Sequence, residues 1–260
     1  MLNKTETNLN NKILKNGYII KKCNRKLLGN LRNIVTDVIK SKLKLTTRSN
    51  KEILDNIHKY VKVSKLNNFR MSIYNEINKN KKFKKLYFLL FKKYLYSIVG
   101  NELVMQKRIN LSIQYPNDNS SLLPVHSDTW SGVSPYEIVA WLPLVDCYKT
   151  KSMYILNPEN SMKLNQNFKN FKNKNSEDIF ESIKKNIIWL DVKYGEILLF
   201  NQNLPHGNRV NEETGTRWSF NCRFKNIFTP YYDKKIGEFY EPITLRATSL
   251  IGMNYKFPEI

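Results

Sequence analysis

At Gly100 the chain changes its hydrophobic period, and that change limits the folds open to it. Before it, apolar residues recur every three to four positions. In NRKLLGNLRNIVTDVIKSKL (24–43), Leu27, Leu28, Leu31, Ile34, Val35, Val38 and Ile39 fall on one side of a helix. SNKEILDNIHKYV opens with Ser49 and Glu52 at the spacing of a reciprocal helix cap. NNFRMSIYNEINK and KKFKKLYFLLFKKYLYSIVG continue the pattern, and Gly100 offers a helix C-terminus. After Gly100 the period is two. RINLSIQY (108–115), YEIVAWLPLV (136–145), SMYIL (152–156), IIWLDV (187–192), EILLF (196–200) and TRWSFNCRF (216–224) are strand candidates. Turn residues separate them, at Pro116-Asn117-Asp118, Ser131-Gly132, Gly195 and Pro205. Strands this close, with no helix after each, argue against a βαβ sheet and favour an antiparallel sandwich or barrel.

The expected organisation is therefore α+β to mainly β. Residues 1–100 form a helical region packed on the core. Residues 101–228 form the β core, with a polar insertion at 157–186 that ends in a short helix. Residues 229–260 form a tail. The Lys-flanked Phe/Tyr/Leu stripe of 83–98 reads as a core-facing helix in preference to a membrane-surface one.

Composition adds bounds. No apolar run is long enough to span a membrane, and MLNKTETNLNNK lacks the apolar segment of a secretory signal. Cys23, Cys147 and Cys222 are widely spaced and imply no disulfide framework, which suits a cytoplasmic protein. The net charge of +21 comes mostly from lysines dispersed along the chain. Solvated Lys faces explain it better than a nucleic-acid groove, although the field would still draw anionic substrates. The oligomeric state is not encoded in any pattern here.

Only three histidines occur, and two sit in suggestive places. LPVHSDTWSG puts His126 and Asp128 two positions apart, so both side chains point the same way if the segment is extended. GEILLFNQNLPHGNRVNEETGTRWSFNCRF puts His206 just after a strand, with Arg217 and Ser219 on one face of the next. Two imidazoles and a carboxylate make a facial three-point site with open positions, which suits non-haem Fe(II) that binds a cosubstrate and O2. A guanidinium with a hydroxyl beside it is a carboxylate receptor. His58 lies in a helical stretch and reads as structural or exposed.

His126-x-Asp128, His206 and Arg217-x-Ser219 together resemble the HxD…H…R pattern of the Fe(II)/2-oxoglutarate-dependent oxygenases. HSDTWSGVSPYEIVAWLPL and LPHGNRV…TRWSFNCRFK are similar to a group from carbohydrate and aminoglycoside biosynthesis clusters, of the streptomycin-biosynthesis type, distantly related to the phytanoyl-CoA hydroxylases. The resemblance covers roughly residues 105–228. It implies a double-stranded β-helix (jelly roll) core. It makes His126, Asp128 and His206 the iron ligands, with Arg217, helped by Ser219, on the far carboxylate of 2-oxoglutarate. A carboxylate at 128 favours hydroxylation over halogenation. The implied reaction consumes O2 and 2-oxoglutarate, releases succinate and CO2, and oxidises a sugar, aminocyclitol or other small metabolite, free or phosphate- or nucleotide-linked. Two other readings stand beside it: a nucleic-acid-directed oxygenase and a non-catalytic jelly-roll binding protein.

Other residues carry softer expectations. Arg223 shares the face of Arg217 and is either the alternative anchor or a substrate contact. Gln114 and Asn110 either line the pocket or face solvent. Asn208 either hydrogen-bonds the cosubstrate or shapes a turn. Trp130, Trp141 and Tyr154 are substrate contacts or packing residues.

Overall fold

A computed structural model describes residues 1–46 and 49–259. Positions 47, 48 and 260, which the expected helical region and tail include, lie outside the described residues. The front of the chain runs α1 (Lys4–Asn16), β1 (Tyr18–Lys22), α2 (Arg25–Leu43), α3 (Asn50–Asp55), α4 (Val63–Lys79) and α5 (Lys81–Ile98). Short polar residues start these helices: the side chains of Asn24, Ser49 and Asn80 accept from the backbone N–H groups of Leu27, Glu52 and Phe83. Gly100, just beyond α5, has φ +114° and donates its N–H to Leu95 O, as the sequence suggested.

The rest of the chain supplies β2 (Leu103–Gln106), β3 (Asn110–Gln114), β4 (Ile138–Pro143), β5 (Tyr154–Leu156), α6 (Pro158–Gln166), α7 (Ser176–Ile183), β6 (Ile187–Trp189), β7 (Glu196–Asn201), β8 (His206–Gly207), β9 (Arg217–Asn226), β10 (Tyr240–Thr244) and α8 (Ala247–Asn254). Seven strands make one sheet in the order β1-β7-β4-β9-β2-β10, with β3 also beside β9. The other sheet is β6-β5-β8. All named strand pairs are antiparallel. The fold is thus α+β with a substantial helical share, and the "mainly β" half of the expectation does not hold.

β9 organises the molecule. Trp218, Phe220, Cys222 and Phe224 point to one side and are fully buried. There Phe220 meets Phe83 of α5 edge-on at 5.1 Å, and Trp218 Nε1 donates to Leu54 O of α3 at 2.9 Å. Tyr87 of α5 reaches Ala140 O of β4 at 2.7 Å. The apolar stripe of α5 (Phe83, Leu86, Leu90, Phe91, Leu95) therefore covers the sheet, and no helix among the described residues is long and apolar enough to cross a membrane. Arg217, Ser219, Asn221 and Arg223 alternate along β9 with its buried residues and open onto a cavity.

Four strands escaped the sequence reading, one of them the two-residue β8 that carries His206 beside β5. β1 pairs with β7 as an edge strand inside the region expected to be helical. β2 precedes the first expected strand, and β10, in the expected tail, pairs with β2 across a register shift near Pro242. The 157–186 stretch holds two helices, α6 and α7, each started by an asparagine cap, Asn157 and Asn175.

Candidate metal centre

His126 and His206 face each other across a backbone bridge between the 116–127 connection and the smaller sheet. His126 N–H donates to His206 O at 3.0 Å, and His206 N–H to His126 O at 2.8 Å. Each imidazole donates Nδ1–H to a carbonyl two residues back, His126 to Pro124 O and His206 to Leu204 O, both at 2.8 Å. These bonds fix the tautomer and leave both Nε2 lone pairs free for a metal. Burial, with His126 alongside, pushes His206 down to about 4, so its ring is neutral at pH 7.

The extended segment ends at Ser127, and Asp128 opens a short 3-10 turn to Ser131, its N–H held by Gln202 O at 3.2 Å. Its two oxygens have different partners. Oδ1 lies 3.6 Å from His126 Nε2. Oδ2 accepts from Arg223 Nε at 3.0 Å and NH2 at 2.7 Å. Ligand atoms of His126, Asp128 and His206 all lie within 4.8 Å of one another, the one such His/Cys/Asp/Glu group among the described residues. The donor set suits Fe(II) and leaves coordination positions free; other divalent ions satisfy the same ligands.

These groups open into a cavity of about 310 Å³ between the sheets. Asn110 and Ser112 (β3), Val139 and Trp141 (β4), and Arg217, Ser219, Asn221 and Arg223 (β9) line one wall. Met153, Gly207 and Asn208 line the other. The period-two expectation for the β9 face is met in full.

Arg217 is buried and has no carboxylate partner among the described residues; NH1 donates to Ser152 O at 3.1 Å and NH2 to Ser112 Oγ at 2.8 Å. Desolvation brings its pKa down to about 10, still charged at pH 7. Arg217 Nε and Ser219 Oγ are buried without hydrogen-bond partners. A buried cation with unspent donors beside an unsatisfied hydroxyl is the arrangement an incoming carboxylate would complete.

Arg223, the alternative anchor, is committed elsewhere. Besides Asp128 it donates to Gln202 Oε1 at 3.0 Å, and Gln202 Nε2 donates to Glu137 Oε2 at 2.9 Å. Other expectations shift too. Trp141 and Asn208 do line the cavity, with Asn208 Oδ1 also accepting from Leu123 N–H at 2.6 Å. Gln114 is fully buried outside it, donating to Arg209 O at 2.6 Å. Tyr154 is buried between Phe180 and Trp189, outside the lining. Trp130 is 37% exposed and rests on Phe168 of the insertion at 4.7 Å, because the 3-10 turn carries it away from the metal ligands. His58 bonds Thr216 Oγ1 at 2.9 Å and is structural.

No protein-family model and no curated protein sequence matches the chain. Solved structures do. ThoJ, a non-haem monooxygenase solved as a nickel complex, aligns over 93% of this chain and 85% of its own, at 11% identity and a TM-score of 0.53. HygX from Streptomyces hygroscopicus, with nickel and 2-oxoglutarate bound, aligns over 89% and 90%, at 11% and 0.52. SnoK, a non-haem α-ketoglutarate-dependent carbocyclase from nogalamycin biosynthesis, aligns over 94% and 97%, at 11% and 0.55. At such identities the likeness is one of fold alone.

Proposed function

We propose that the protein is a non-haem Fe(II)- and 2-oxoglutarate-dependent oxygenase, built on a double-stranded β-helix, that hydroxylates a small polar metabolite of the sugar or aminocyclitol class. One observation carries the reading. A three-ligand set and buried Arg217, which has no carboxylate partner among the described residues, share one cavity. The fold it shares with ThoJ, HygX and SnoK supports it.

Fe(II) carrying 2-oxoglutarate supplies oxygen activation, with succinate and CO2 as co-products. The chain's own residues do the rest. His126 and His206 present Nε2, and Asp128 presents Oδ1 while Arg223 holds Oδ2. Arg217 and Ser219 receive the distal carboxylate of the cosubstrate. Val139, Trp141, Met153 and Phe200 form the apolar part of the lining and exclude water. In the lining, Asn110 Nδ2 donates to Asn221 Oδ1 at 2.9 Å, and from behind it Gln106 Nε2 donates to Asn110 Oδ1 at 3.2 Å. That row of amides suits a hydroxyl-bearing substrate.

Anaerobic Fe(II) with 2-oxoglutarate should give a visible charge-transfer band, and oxygenation should release succinate. Asp128→Ala should lose both. Arg217→Leu should keep metal affinity but weaken 2-oxoglutarate by roughly 30-fold or more, the cost of truncating one side of a buried charge pair. A wild type without the band, or full 2-oxoglutarate turnover in Asp128→Ala, would defeat the assignment.

A further inference from the structure

A second cavity lies on the other side of Ser152, between the start of the helical layer and the loops that join the strands. It is larger than the first, about 610 Å³, and its lining is mostly polar. Four basic side chains (Arg32, Lys51, Lys59 and Lys151) face it against two carboxylates, Asp55 and Asp146, leaving two positive charges over.

The pairing within this set is uneven. Asp55 is shared: Lys51 Nζ sits 3.0 Å from one oxygen and Lys151 Nζ 3.3 Å from the other. Lys151 is only 4% exposed, so its ammonium is held in place. Gly215 makes room for it, since a Cβ there would fall 2.8 Å from Lys151 Nζ. Asp146 accepts from the backbone N–H of Tyr194 at 2.8 Å. Arg32 is left over. It is 9% exposed, makes no ion pair among the described residues, and its Nε is buried without a partner. Its guanidinium lies 4.3 Å over the Tyr194 ring, which fixes its plane.

A guanidinium whose Nε is buried without an acceptor, and which has no carboxylate among the described residues, is costly to leave so, and its planar fork matches an oxyanion. The same logic points Arg217 to a carboxylate in the first cavity. Here the surrounding cations are ammoniums and the surplus charge is two. We propose that this second cavity is a binding site for a compact divalent oxyanion, a phosphate group, with Arg32 as its fork and Lys59 and Lys151 as its flanking cations. The site is separate from the metal centre and does not depend on the oxygenase reading.

Calorimetric titration of the full chain tests it, with inorganic phosphate and with glycerol 3-phosphate, at ionic strength held constant by chloride. Wild type should bind saturably; the better of the two ligands tells whether the anion is free or carried on a metabolite. Arg32→Gln should weaken binding roughly tenfold or more, and Arg32→Lys should recover part of it. Lys12→Gln, on an exposed face of α1, should bind as wild type does, and Arg217→Gln should keep the binding that Arg32→Gln loses. If Arg32→Gln does not fold, Lys59→Gln, on an exposed side chain, serves in its place with a smaller expected loss. Three outcomes overturn the proposal: no saturation beyond the chloride background, equal affinity in wild type and the fork variants, or loss in Arg217→Gln alone, which would place the anion in the metal cavity.

Discussion

Asp128 illustrates how much a ligand depends on what stands behind it. Its two oxygens have different tasks because Arg223 occupies one, and Arg223 is itself fixed by Gln202 and, through it, Glu137. Removing Arg223 has opposed effects: it takes away a cation that repels the metal, and it frees the carboxylate to rotate. Orientation should win. Arg223→Leu is expected to weaken Ni(II) binding about 10- to 100-fold by calorimetry; unchanged or tighter binding would show that repulsion dominates. Glu137 gives a pH signature. Burial is the largest influence on it and raises its pKa above the ordinary 4.5, against the hydrogen bond from Gln202 and the positive charges of Arg223 and Lys225. A raised folded pKa means its contribution to stability is present below about 4.5 and is lost as pH rises through the folded value. Glu137→Gln should therefore raise the melting temperature at pH 7, with the gain shrinking toward pH 4. A variant equally or less stable at pH 7 would show that the charged form is well compensated. At this scale the sequence was partly legible. His126 and Asp128 stand two positions apart, and Arg217 follows His206 by eleven on the next long strand. Arg223's commitment to Asp128 was hidden, because its partner is 95 positions away and only register brings them together.

Among the elements, β9 carries the greatest load. Its even-numbered residues fasten the helical layer and its odd-numbered ones line the cavity. Phe220 is fully buried, packs on Phe83 and lies opposite Leu142 and Leu111 in the neighbouring strands. Phe220→Ala should cost about 3–5 kcal/mol, read as a lower denaturant midpoint at unchanged slope. A loss under about 1 kcal/mol would mean that the core collapses into the space. The long alternating strand was readable for the reason that makes it important, since one face is apolar and the other polar. β1, β2 and β10 were not. Each is four or five residues long, YIIKK and LVMQ do not alternate, and β10 contains a proline. Pairing with partners distant in sequence, which periodicity cannot show, is what makes them strands.

For the molecule as a whole, one apolar cluster runs from the helices through the larger sheet. A surplus of +21 surrounds it, carried mostly by lysine. That field should give weak, non-specific nucleic-acid binding at 50 mM salt that falls about a thousandfold by 200 mM. Tight binding surviving 200 mM in a fluorescence-anisotropy titration would instead make nucleic acid a serious candidate substrate. Composition alone defined this property, and the fold adds only that the lysines are mostly at the surface.

The two-sidedness of β9 has a consequence for how such a chain can change over time. Positions 217, 219, 221 and 223 touch the reactants' space but none of the helical packing, while 218, 220, 222 and 224 do the reverse. A single strand thus spells two messages in alternate letters. One can be edited to admit a new substrate while the other, which keeps the protein folded, is left as it was.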